Sequence, residues 1–403
     1  MRPAGVQPYY RAGAEMDDDI DDGVPYDGTD PGANFDVNAS GSTLSASDRA
    51  IAASWRRPAS LADEPEAAPL PAIQKIVTTG RELRAGKVHV YEKGLQGLCT
   101  TINPSGDTVA VGCQNSHVML VDIKTCKTMA IHDLSEGRIA AITAIRYRPE
   151  VPGGSQNVAL LAQEQHILNV HMSTGRVLSS RKEEGNKIAA LELRPSGGDL
   201  LATAGSDAVV RVYDETRGGA PRATLDHGDD STTTGHSNRV YSISWVPGHP
   251  DLLVSGGWDR TLQVWDLRLE RSVRSFFGPY VCGDAVDMRG GVLLTGSWRH
   301  ANPLQLWDFG SGRLLTNLPF FQPEHEACML YAAKFGRAPF SDNVILAGGS
   351  GKRPCVKVFQ STGEVVGTLP CPSSVNALDT MGWGPRDRVA AVCCDDRLMV
   401  VPI

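Results

Sequence analysis

From about residue 85 the chain is a succession of short apolar runs broken by Gly, Pro, Asn and Asp. Runs this short, bounded by turn residues, read as β-strands rather than helices. The clearest stretch lies between His236 and Asp266. It predicts a strand over Val240–Trp245, a turn at Pro247–His249, a second strand over Leu252–Ser255, a tight turn, and a third strand over Thr261–Trp265. An outer strand is expected near Val273–Phe276. Four antiparallel strands cannot bury both of their own faces, whereas copies stacked radially can.

The end of the third strand recurs. It is expected at Val121-Asp122, Val170-His171, Tyr213-Asp214, Trp265-Asp266, Trp307-Asp308, Phe359-Gln360 and Val401-Pro402, with successive spacings of 49, 43, 52, 42, 52 and 42 residues. A period in the forties suits four strands per unit, and seven such ends predict seven blades. The seventh end lies at the C-terminus, so its blade lacks an outer strand from the following sequence. The alternating segment Lys87-Val88-His89-Val90-Tyr91 is expected to supply that strand and close the ring. Closure removes the exposed sheet edges that otherwise promote aggregation. The fold class expected is therefore all-β, a seven-bladed β-propeller over residues 85–403.

Composition changes the picture only at the N-terminus. Residues 1–84 are rich in Pro, Ala, Gly and Asp, with a run of acids at Asp17, Asp18, Asp19, Asp21 and Asp22, and are expected to form a disordered acidic extension. Residues 1–80 hold thirteen acidic and six basic side chains, which is the whole of the chain's net charge of -7, so the remainder is neutral. A neutral body lacks the basic stripe that nucleic-acid binding requires. Tyr9, Tyr10, Tyr26, Phe35 and Trp55 leave open an extension that folds against a partner. Nine cysteines, none in Cys-x-x-Cys spacing, read as reduced buried thiols. With no signal-peptide-like apolar stretch and no apolar run of spanning length, a cytoplasmic protein without a membrane segment is expected.

Gly235-His236 and Trp265-Asp266, separated by 28 residues with Ser255 and Asp259 between them, resemble the motif of the WD40-repeat family. The resemblance implies a β-propeller in which His236, Ser255, Trp265 and Asp259 form a structural hydrogen-bond relay. A His-Ser-Asp set can also signal a hydrolase, but this order and spacing belong to a blade. Other repeats match in part. Thr203, Asp207 and Tyr213 repeat the spacing, with Asn186 a candidate for the His place; Asn115 stands where the first repeat should have Asp; the fifth keeps Thr295 and Trp307 but has Arg299 for Asp. The family implies protein docking, with no catalytic residue, cofactor or metal.

Two repeats depart from the common length. Ser255 precedes Trp265 by 10 positions, whereas Thr295 precedes Trp307, and Ala347 precedes Phe359, by 12. The longer turns carry Arg299 and His300, then Lys352 and Arg353, while Arg260 holds the equivalent turn of the fourth repeat. These five residues are expected to form a basic arc on the face that WD-repeat proteins commonly use for partners, and to dock an acidic segment. Arginine suits bidentate carboxylate contacts. The stretch from Ser275 to Asp284, followed by Leu294–Arg299, is similar to WD-repeat proteins of ciliated protists and green algae, which implies a structural subunit of a ciliary or flagellar axoneme with tubulin or axonemal partners. An alternative remains: Trp265-Asp266-Leu267-Arg268 matches the Trp-Asp-x-Arg signature of substrate receptors for cullin-type ubiquitin ligases, with Arg268 as the adaptor contact. Gly348-Gly349-Ser350-Gly351-Lys352 fails as a phosphate loop because Arg353 replaces the Ser or Thr. His325, Glu326 and Cys328 lack a second ligand pair. Met288-Arg289-Gly290 is only a fragment of the Phe-Arg-Arg-Gly motif of phosphoinositide-binding propellers.

Overall fold

The computed structural model describes residues 81–149, 157–228, 233–320, 328–337, 344–382 and 388–402. Within these the chain is an all-β, seven-bladed propeller, with no helix among the described residues. Each blade has four antiparallel strands that run in order from the channel outward. Blade four shows the pattern: Val240–Trp245, Leu252–Gly257, Thr261–Asp266 and Arg271–Phe277. All seven expected third-strand ends coincide with the ends of third strands, from His117–Asp122 in blade one to Arg397–Pro402 in blade seven.

The ring closes as the alternating segment predicts. Lys87–Val90 is the outer strand of blade seven and pairs antiparallel with Arg397–Pro402, Lys87 opposite Val400. The extension expected over residues 1–84 lies, up to residue 80, outside the described residues. Residues 81–84 already belong to the ring. Arg81–Glu82 pairs parallel with Val365–Pro370 and makes blade six five-stranded. Leu83 follows, 7% exposed, its N–H donating to the Thr368 carbonyl at 2.7 Å. A side chain at Gly367 would block it, since a Cβ there would lie 2.5 Å from Leu83. One apolar residue among Arg81, Glu82 and Arg84 carries no periodic signal, which is why the sequence boundary fell later.

The core is a set of slabs between adjacent blades rather than one centre. Second strands such as Thr108–Cys113, Val158–Gln163 and Leu200–Gly205 are buried along their whole length, because both sheet faces are covered. One slab joins blade seven to blade one through Val109, Val111, Met119, Ala391, Cys393 and Leu398. Outer strands face solvent, as in Arg176–Lys182. Six of the seven inner strands carry a register shift near their start, between Val240 and Ser242 in blade four and at the equivalent points of blades one, two, three, six and seven. A bulge re-aims the extra residue. The extra residue is Tyr241 in blade four and Tyr331 in blade six.

Inner-strand side chains then staple each blade to the next. The Asp379 carboxylate accepts the Ile102 N–H at 2.7 Å, and Asp287 accepts the Phe335 N–H at 2.8 Å. The Ser242 hydroxyl accepts the Val286 N–H at 3.0 Å.

Candidate functional site

Blade four holds the complete relay. The Trp265 indole N–H donates to Ser255 Oγ at 2.7 Å, Ser255 Oγ and His236 Nε2 lie 2.7 Å apart, and His236 Nδ1 and Asp259 Oδ2 are also 2.7 Å apart. The relay therefore runs from Trp265 to Ser255, from Ser255 to His236 and from His236 to Asp259. Burial pushes the Asp259 carboxyl up. The His236 hydrogen bond and charge, with the Thr261 and Ser237 backbone N–H groups, overcome that and hold it below its ordinary value. Ser255 is 0% exposed and already engaged by two partners, so it offers no nucleophile to a substrate. The relay is wired for structure.

Blade three solves the same problem differently. Asn186 does not take the His place. Glu183 does, twenty positions before Thr203: it accepts from Thr203 Oγ1 at 2.5 Å, from the Tyr213 hydroxyl at 2.9 Å and from Asn186 Nδ2 at 2.6 Å. Burial first, and then the Glu183 carboxylate, raises the Tyr213 phenol above its ordinary value. Asp207 pairs with Arg211 instead, at 2.7 Å. In blade five the Trp307 indole donates to Thr295 Oγ1 at 3.0 Å.

The basic residues of the expected arc stand on the second-to-third-strand turns of blades four, five and six, all on one face of the ring. Arg260, His300, Lys352 and Arg353 are exposed. Arg299 departs from expectation. Its guanidinium donates to the Gly278 and Asn302 carbonyls and to Gln305 Oε1 at 2.7 Å, so it braces its own long turn. The physical reason is the missing Asp: without a turn carboxylate, the arginine ties the loop through carbonyls.

Two features were not read from the sequence. The first is a stack on the same face. The Arg239 guanidinium lies 5.4 Å from the Trp258 ring, Trp258 is stacked on Tyr280 at 6.4 Å and 20°, and Arg260 lies 6.0 Å from Tyr280. Tyr241 packs on Trp258 at 5.3 Å, and the indole N–H donates to Cys282 Sγ at 2.9 Å. Burial pushes that thiol up to about 12, which makes it unreactive.

The second is an ionic tie across the channel. Arg146 of blade two donates to Glu192 of blade three at 2.5 Å and to Asp284 of blade five at 2.7 Å, and Lys334 of blade six also donates to Asp284 at 2.7 Å. Burial raises the Asp284 carboxyl, but Lys334 and Arg146 hold it well below the carboxylate range. Asp287, buried without so close a cation, is raised by that burial. Arg268 lies on the opposite face. Its side chain is 57% exposed, and it forks onto the fully buried Asp266 at 2.6 and 3.0 Å. Cys99, Cys113, Cys126, Cys282, Cys355, Cys371, Cys393 and Cys394 are free thiols, and among the described residues no group of three or more His, Cys, Asp or Glu could hold a metal ion.

The family model for the WD domain, G-beta repeat, matches residues 230–266, the stretch that carries the complete relay. The chain is 25% identical over 234 residues to the WD repeat-containing protein slp1 of Schizosaccharomyces pombe, covering 57% of this chain and 43% of that protein. It is 26% identical over 165 residues to the anaphase-promoting complex subunit cdc20 of Dictyostelium discoideum, covering 40% and 30%. The ribosome biogenesis protein ytm1 of Botryotinia fuckeliana is 33% identical over 146 residues, covering 36% and 28%. The chain therefore matches less than half the length of these relatives. Blade four thus matches a WD repeat, set within a seven-bladed propeller.

Proposed function

We propose that this protein is a non-catalytic docking scaffold of the cytoplasm, which presents the turn face of blades four to six to other proteins. The observation that carries the reading is the set of exposed basic side chains, Arg260, His300, Lys352 and Arg353, held on one face of a closed ring. A closed sheet fixes these turns in advance, so a partner binds with little loss of loop entropy. Acidic segments suit the face, and the ring belongs to a larger assembly.

Comparative affinity capture tests this. Wild-type chain and a Lys352→Glu/Arg353→Glu variant are presented to the same extract at two salt concentrations. A set of partners recovered by the wild type should fall several-fold with the variant, and more at low salt, because exposed charge is screened. Identical partner sets would overturn the reading.

Two narrower readings predict which proteins are recovered. The axonemal reading, supported by the resemblance of the Ser275–Asp284 stretch, predicts tubulin and axonemal proteins. In this ring that stretch also has local duties, since Tyr280 joins the aromatic stack and Asp284 the ionic tie. The ubiquitin-ligase reading predicts adaptor proteins lost on Arg268→Ala. Against it, the Arg268 fork is already occupied by Asp266. Recovery of adaptors unchanged by Arg268→Ala would exclude that contact.

A further inference from the structure

We infer that the stack of Arg239, Trp258, Tyr280 and Arg260, with Phe277 exposed at the end of the adjoining outer strand, is a docking site for an extended acidic segment of a partner protein that also carries an apolar side chain. The inference rests on the turn face being the partner face, and it moves the centre of that face from the longer turns of blades five and six to the junction of blades four and five.

The two arginines differ from the ion-paired arginines of blades two and three. Arg146, Arg148, Arg181, Arg194 and Arg211 each hold a carboxylate. Among the described residues no carboxylate pairs with Arg239 or Arg260; each instead lays its guanidinium over an aromatic ring. An arginine stacked in this way has one face covered and its orientation restricted, while its in-plane N–H groups stay available for bidentate contact with a carboxylate. Two such forks flank a Trp–Tyr pair. Trp, Tyr and Arg are the residue types that carry most of the energy in protein interfaces.

Phe277 supplies the apolar element. It is 71% exposed, pairs with Thr261 across the sheet, and the next residue, Gly278, donates its N–H to the Arg260 carbonyl at 2.8 Å. A large aromatic side chain left in water on the strand whose end bonds the Arg260 backbone is an apolar surface that a partner can cover. Its position is rigid. Arg260 sits in the left-handed region at φ 60, held there by Asp259, whose carboxylate accepts the Thr261 N–H at 3.0 Å and is itself fixed by His236. The buried relay of blade four thus positions the exposed arginine. The shape suits a peptide laid across the blade junction, one acidic group on each fork and an apolar side chain against Phe277. A nucleic acid fits less well, because the ring is electrically neutral overall and the site holds two cations rather than a stripe.

Fluorescence anisotropy with the full chain tests the inference. The probe is a labelled ten-residue peptide of Glu and Gly with one central Leu; its controls replace Glu by Gln, Leu by Gly, or two Glu by phosphoserine. The Glu peptide should bind, the Gln peptide should not, and added salt should weaken binding. Arg239→Gln and Arg260→Gln should each weaken it about tenfold, the loss of one charge-assisted contact. Phe277→Ser, at an exposed position, should weaken it several-fold while leaving the thermal midpoint unchanged, and the Leu-to-Gly peptide should show the same loss on wild type. Binding equal for Glu and Gln peptides, or unaltered by both arginine changes in variants with wild-type circular dichroism, would overturn the inference. A preference for phosphoserine of more than about tenfold would assign the forks to phosphate and overturn the carboxylate assignment. If the acidic peptide fails here while captured partners still depend on Lys352 and Arg353, the docking reading survives and this site does not.

Discussion

Blades three and four place side chains at the same positions and satisfy them with different chemistry. In blade four an imidazole links a turn carboxylate to a hydroxyl and an indole. In blade three the carboxylate itself is the hub, and it gathers a hydroxyl, a phenol and an amide. The indole gives way to a phenol, Ser255 to Thr203, and the turn acid of blade three turns away to Arg211. The requirement common to both is that every buried polar group finds a partner of opposite role. The identity of the hub is free as long as the donors and acceptors around it are counted correctly.

The change that most directly breaks this comparison is His236→Glu. It puts a second carboxylate beside Asp259 with no donor to replace the imidazole, so it should destabilise by about 3–5 kcal/mol, the range for an uncompensated buried charge. Chemical denaturation measures it. A loss below about 1 kcal/mol would mean that blade four tolerates either hub.

A subtler pair sharpens it. Ser255 serves two partners, His236 and Trp265, while Thr203 is bonded to Glu183 alone among these groups. Ser255→Ala should therefore cost about 2 kcal/mol and Thr203→Val about 1, because the first leaves two buried groups unmet and the second leaves Glu183 with Tyr213 and Asn186. Equal losses would show that the hydroxyls are not the deciding groups.

The smallest effect separates the relays from the ionic tie. Asp284 is held below its unfolded value, so it contributes stability above that value and loses it as pH falls through its folded one. The difference in thermal midpoint between wild type and Asp284→Asn should be constant near neutrality and narrow below about pH 4. Asp287 has the opposite sign: burial raises it, so its charged form opposes folding, and acidification through its folded value relieves that. Asp287→Asn should remove this relief. A wild-type gap that widens in acid would contradict the assignment of Asp284.

Much of this was legible beforehand. The seven third-strand ends, the closure strand and the Ser255, Asp259 and Trp265 members of the His236 relay in blade four are written in spacing, because strand length and turn length are local properties. Glu183 was also within reach: it precedes Thr203 by nearly the interval that separates His236 from Ser255. Asn186 drew the assignment because an amide resembles imidazole more than a carboxylate does. The channel charges left a fainter trace, a small residue, an apolar one, then a lone charge in the inner strands of blades two, three and seven: Ala144-Ile145-Arg146, Ala190-Leu191-Glu192, Ala377-Leu378-Asp379. Nothing in that trace says that Arg146 reaches Asp284 on the far side of the ring.

The sequence alone determined the number of blades, the order of strands, the way the ring closes and the one blade with a complete relay. Each depends on residues close together in the chain and on a repeat period. The tertiary structure alone decided which charges meet across the channel, that Arg299 braces its own turn, and that Arg239, which no motif marks, stacks on Trp258. Those contacts join different blades or different turns. A ring brings distant segments to one axis and one face by rotation about its centre, and no local pattern of apolar and polar residues encodes which side chains then lie opposite each other.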